Sequence, residues 1–254
     1  MEKQIRKFRV YNTLMGFLHF VQGVVIICLS TNFKLPVNTS FLQFNSFTQT
    51  LDSATKNLFH VNLGYGVALF FFISALFHFA IATFYYRTYA ANLEKGMNKA
   101  RWYEYSISAA LMIVLIGMLS GIYDLSSLMM MFGLTAVMNL CGLVMEVYNQ
   151  KKSDVDWTAF SVGSLAGLLP WVAIAIYFWG AGTVEGNAIP TFVYWIFVSI
   201  FIFFFSFALN MYLQYQKVGP WKNYLFGEGM YILLSLVAKS LLAWQIFAGT
   251  LRPM

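Results

Sequence analysis

YLFGEGMYILLSLVAKSLLAWQIFAG, Tyr224–Gly249, is the stretch whose reading decides the fold. It is long and apolar enough to cross a bilayer, which takes roughly 20 residues as a helix. It contains one basic residue, Lys239, the only Lys or Arg between Lys222 and Arg252. An ammonium at mid-membrane depth costs at least about 2.5–3.5 kcal/mol, so residues retained there usually serve a function. One escape is to condense the amine with an aldehyde, which gives it a tunable pKa and a covalently held ligand. Ser235 precedes Lys239 by four residues and so shares its helix face. Its hydroxyl can bond the lysine nitrogen, or back-bond to its own helix as membrane serines often do.

The rest of the chain has the same character. Of 254 residues, 59% are hydrophobic and 10% charged, against about 25% charged in a soluble domain. Seven hydrophobic spans are expected, at about Val10–Ser30, Leu58–Tyr86, Trp102–Tyr123, Ser126–Tyr148, Thr158–Gly180, Thr191–Tyr215 and Tyr224–Gly249. No hydrophilic stretch is long enough for a separate domain, so residues 1–254 read as one transmembrane domain. The first span is too long, and lacks the small-residue cleavage site, for a removed signal peptide. The net charge of +6 is a topology signal and needs no nucleic-acid partner. Cys28 and Cys141 read as packing residues. No metal-ligand spacing or catalytic constellation is present, so no metal is expected and the chain is not read as an enzyme.

Lys and Arg sort sharply between the two faces. Lys3, Arg6, Lys7, Arg9, Arg87, Lys95, Lys99, Arg101, Lys151, Lys152, Lys217 and Lys222 fall on one side. Only Lys34, Lys56 and Arg252 fall on the other. The positive-inside rule then places the N-terminus in the cytoplasm and the C-terminus outside. Trp102, Trp157 and Trp221 at one set of span ends, with Trp179 and Trp195 at the other, fit aromatic belts. The one long connection, residues 31–57, lies outside. PVNTSFLQF within it alternates apolar and polar residues, which predicts a small β-hairpin. Gly117/Gly121 and Gly163/Gly167 have the spacing of close helix packing.

Few charged or histidine residues fall deep inside the spans: His19, His78, Glu104, Glu146, Glu228 and Lys239. His60 is expected at the outer start of span two. His19 and His78 each lie roughly 13 Å from the cytoplasmic side at 1.5 Å per residue. Two imidazoles at one depth can hold or pass a proton near neutral pH; the alternative is two separately bonded histidines. A buried cation at Lys239 needs a carboxylate. Depth leaves Glu104, Glu146 and Glu228 as candidates, while Glu146 and Glu228 also fit helix ends near headgroups. Pro170-Trp171, Trp244 and the FIFFFSF run supply aromatic walls that suit either a pocket or helix packing.

Seven spans with a lone lysine in the seventh resemble the microbial-type rhodopsins. The inferred orientation is opposite to that of the usual pumps, and Ser235 stands where those pumps tend to have Asp. RKFRVYNTLMGFLHFVQG at the start, RWYEYSIS opening span three and SLVAKS in span seven resemble heliorhodopsin segments, and the resemblance covers essentially the whole chain. It implies a seven-helix bundle in which Lys239 carries all-trans retinal as a protonated Schiff base, Glu104 is the counterion and Ser235 lies beside the nitrogen. It further implies that His19 and His78 hold or relay the proton lost in the photocycle. Tyr105, Met138, Asn139, Trp171 and Phe205 of span six would line the chromophore. Slow photocycles, little pumping and homodimers also follow from the resemblance, with the hairpin contributing to the dimer contact.

One tension accompanies it. Glu104 lies about 5 Å beyond Arg101 along the helix, whereas Lys239 is near mid-span. Their meeting predicts that span three starts earlier, near Lys95. The expected function is a membrane photoreceptor, sensory or regulatory, with any signalling partner on the cytoplasmic side. A light-driven proton transporter or channel is the second reading. A membrane protein without photochemistry, pairing Lys239 to a carboxylate, is the third.

Overall fold

The computed structural model describes residues 2–183 and 190–253. Water is absent from a bilayer core, so every backbone N–H and C=O there must be bonded within the chain. The apolar runs accordingly form helices: α1 (Glu2–Leu29), α2 (Leu63–Ala82), α4 (Lys99–Leu119), α5 (Leu125–Tyr148), α6 (Thr158–Gly182), α7 (Thr191–Tyr215) and α8 (Tyr224–Ile246). All seven are long and apolar enough to cross a membrane. A π-helical segment, Phe247–Leu251, continues α8. Between α2 and α4 lies a short additional helix, α3 (Tyr86–Glu94).

Helix α1 packs on α2 and α8, α2 on α4, α4 on α5, α5 on α6 and α7 on α8. The seam between α6 and α7 is aromatic. Trp171 meets Phe197, Phe201 and Phe204, and Phe178 stacks on Phe197. At the α5–α6 contact, a Cβ on Gly163 or Gly167 would meet Cys141 or Met138. That spacing therefore does mark close packing. Gly121 does not: it lies beyond α4 in a turn with φ +97°.

Strands β1 (Lys34–Asn45) and β2 (Thr50–Asn62) form one antiparallel hairpin. It is longer than the alternation in PVNTSFLQF predicts. Leu58 and His60 belong to β2 and are exposed there, so the second span begins at Leu63 and not at Leu58. The hairpin root closes the bundle. Leu35 and Val37 join the main core, and Asn38 N–H donates to the Tyr123 carbonyl at 2.8 Å. The outer half projects away, with Leu42, Phe44 and Phe47 exposed.

Span three does start before Trp102, with Arg101 inside the helix, but it does not reach back to Lys95. Gly96 adopts φ +70° and ends the α3 segment, a conformation that suits glycine. Helix α4 then starts at Lys99, with the Asn98 side chain accepting from Arg101 N–H at 3.2 Å as a cap. Its first turn nevertheless starts inside the protein, because Ala100, Arg101 and Trp102 are all buried.

The root, and not the tip, of the hairpin is expected to matter for stability. Val37→Asp puts an unpaired charge in the core and should destabilise the bundle by roughly 3 kcal/mol or more. Leu42→Asp on the exposed half should stay within about 0.5 kcal/mol. Thermal unfolding of the detergent-solubilised protein checks both.

Candidate functional site

Lys239 is buried on α8, and its Nζ donates to Ser235 Oγ at 2.8 Å. Glu104 Oε1 of α4 lies 3.3 Å from the same nitrogen. A second hydroxyl, Ser74 of α2, donates to that carboxylate at 2.6 Å. Tyr105 places its ring 5.2 Å from Nζ and donates its hydroxyl to the Tyr231 carbonyl at 2.9 Å. Helices α2, α4 and α8 thus meet at one buried charge pair.

The depth mismatch between Glu104 and Lys239 has a geometric answer. Long helical side chains lean toward the N-terminus of their own helix. Helices α4 and α8 both start at the face that carries the N-terminus. Lys239 leans back past Ser235 toward Glu104, and Arg101 leans back toward Glu228. The two side-chain lengths absorb the about 12 Å by which the Lys239–Glu228 separation exceeds the Glu104–Arg101 separation, at 1.5 Å per residue.

His19 and His78 stack, with ring centroids 5.4 Å apart and planes 13° from parallel. Of the depth-based alternatives, the structure shows the pair. His78 Nδ1 lies 2.7 Å from Asn12 Oδ1, whereas neither nitrogen of the buried His19 has a protein partner.

Toward the N-terminal face lies a second charge cluster. The guanidinium of Arg101 is paired with both Glu146 and Glu228, all three buried. Asn98, Tyr89, Trp102 and Tyr224 donate to these carboxylates at 2.8–3.2 Å. Glu146 and Glu228 are therefore not helix ends at headgroups. Arg101 is not simply a topology charge, and Trp102 is no belt residue. Their span-end positions misled because α3 and the Gly96 turn lie over the start of α4.

An apolar cavity runs from Lys239. Its lining includes Tyr105, Met112, Met138, Asn139, Phe204 and Ser235. Phe205 lines an adjoining cavity that shares Met138, Asn139, Phe204 and Phe207 with the first. Trp171 lines neither and reaches them through its contact with Phe204. Sequence reasoning missed Ser74, Arg101, Asn12 and Phe204. For Ser74 a signal exists: it stands four residues before His78, as Ser235 stands before Lys239.

Residues 8–251 match the family model described as Heliorhodopsin. The chain belongs to the heliorhodopsin family. A comparison with curated proteins finds no match. Heliorhodopsins are seven-helix membrane proteins that bind retinal and sense light, and they are not a known enzyme family. The residues present fit such a cofactor. The cavity walls are apolar, and a single amine stands at one end.

The Arg101 cluster should dominate stability on its side of the bundle. Arg101→Met strands two buried carboxylates and is expected to cost about 3–5 kcal/mol. Adding Glu146→Gln and Glu228→Gln should return part of that loss. Denaturant titration of the three proteins in micelles measures it.

Proposed function

We propose that this heliorhodopsin is a sensory or regulatory photoreceptor with a slow photocycle, and that Lys239 is where all-trans retinal attaches. The observation that carries the reading is a buried amine 3.3 Å from a buried carboxylate at the end of an apolar cavity. When bound through an imine to Lys239, retinal supplies visible absorption and a light-driven change of shape.

The chain's own residues supply the rest. Glu104 provides the negative charge that a cationic nitrogen at Lys239 requires. Ser74 orients that carboxylate, and Ser235 offers its oxygen to the nitrogen. The stacked His19 and His78 give a proton leaving the Lys239 site a nearby buried acceptor. Tyr105, Met138 and Asn139 wall the cavity beside the amine; Phe204 and Phe207 stand where it adjoins the one lined by Phe205. Residues 1–254 act as one domain, with the N-terminus cytoplasmic by the distribution of basic residues. A homodimer and a cytoplasmic signalling partner belong to the same reading.

Sensing is favoured over pumping by where the charges lie. Among the described residues, every buried His, Lys, Arg, Asp or Glu is His19, His78, Arg101, Glu104, Glu146, Glu228 or Lys239. Between Lys239 and the hairpin the core consists of side chains such as Val67, Phe70, Ile116, Met118, Ile122 and Ile246. Such a layer offers a proton no stepping point toward that face.

Adding all-trans retinal to the expressed protein should produce a visible band, and Lys239→Ala should abolish it. Glu104→Gln should shift the band strongly or lower the pH at which the attached nitrogen loses its proton. An unchanged spectrum and titration in Glu104→Gln would count against the counterion role.

Illuminated vesicles carrying the protein should show no change in external pH that an uncoupler abolishes. A pH electrode in the suspension reads this, and a sustained signal would favour transport.

A further inference from the structure

The hydrogen bonds around Asn12 determine where His78 keeps its proton. Asn12 Nδ2 donates to the Phe8 carbonyl at 2.8 Å and to the Tyr89 hydroxyl at 3.4 Å. A carbonyl only accepts, so Phe8 fixes which end of the amide is the NH2 group. Asn12 Oδ1 is thereby turned to His78 Nδ1, 2.7 Å away. An amide oxygen also only accepts, so Nδ1 must carry hydrogen. The other end of the chain is equally constrained. Tyr89 donates its hydroxyl to Glu228 Oε1 at 3.1 Å, and Glu228 is paired with Arg101. The Tyr89 oxygen is then left to accept from Asn12. Every donor along His78–Asn12–Tyr89–Glu228 points the same way, toward a charge held in place, and hydrogen bonds aligned in this manner polarise one another.

We propose that Asn12 sets the tautomer of His78, holding hydrogen on Nδ1 and leaving Nε2 as the atom that accepts and returns a proton. The inference rests on the reading of His78 as a proton holder and adds the atom and the positioning residue. A proton taken up at Nε2 makes an imidazolium whose Nδ1–H bond to Asn12 persists without any group moving. The Nε2 proton is also the one returned. Losing the Nδ1 proton instead would set a lone pair against Asn12 Oδ1. His19, with no partner at either nitrogen, has no protein group to select its tautomer, which makes His78 the defined member of the pair.

The test is nitrogen NMR on the full-length protein in lipid with labelled histidine, with and without retinal. The His78 signals are assigned by their loss in His78→Gln. Wild type should show a protonated Nδ1 and an unprotonated Nε2. Asn12→Leu should lose that preference, and Asn12→Asp should keep it, because a carboxylate also accepts from Nδ1–H. In the pigment, Asn12→Leu should change the proton-return rate after a flash by roughly tenfold or more, the size expected from losing a hydrogen bond to a charged group. Wild-type His78 with its hydrogen on Nε2 overturns the proposal, whether or not an Asn12 variant folds. So does Asn12→Leu with tautomer and return rate both unchanged. Wild type that binds no retinal overturns the role of Lys239 instead, while the tautomer measurement on that colourless protein still judges Asn12.

Discussion

The bundle is organised by the cost of charge in a medium without water. Two cations, Lys239 and Arg101, and three carboxylates, Glu104, Glu146 and Glu228, are buried together. Each cation has a carboxylate within ion-pair distance. The surplus negative charge is spread over N–H and O–H donors from Asn98, Trp102, Tyr89 and Tyr224. Removing either cation leaves its buried carboxylates unpaired, which is costlier than the pair is favourable. These partners come from α3, α4, α5, α8 and the turn before α4. The cluster therefore specifies how those elements sit against one another.

That requirement explains why α4 begins where it does. A helix starting at the surface would leave Arg101 in water and Glu104 too shallow for Lys239. Gly96 turns the chain inward, Asn98 caps the new helix, and the first turn of α4 is buried. Helix α3 then lies over the opening, with Tyr89 and Leu93 buried beneath it. The resulting polarity is one-sided. Buried ionisable groups link the Lys239 site to the N-terminal face, while the half toward the hairpin is packed with aliphatic and aromatic side chains. On the proposed attachment of retinal at Lys239, a light-driven change there would rearrange bonds on one side only, which suits the proposed signalling role better than a transport cycle.

The primary structure alone determined the seven spans, the single lysine of the last one and the presence of a hairpin. Each is a matter of composition and period, which survive without knowing what touches what. Segments resembling heliorhodopsins pointed to Glu104 among three carboxylates that depth could not separate. Arg101 and Trp102 were misread because a charged residue or a tryptophan at a span end looks the same whether it faces headgroups or the interior. Only the tertiary structure decided that. It also stacked His19 on His78 from different helices and brought Asn12 and Tyr89 into one directed chain of hydrogen bonds. The physical reason is that hydropathy reports how much of a segment is apolar, whereas partner choice depends on the direction in which each side chain leans and on which helix stands opposite.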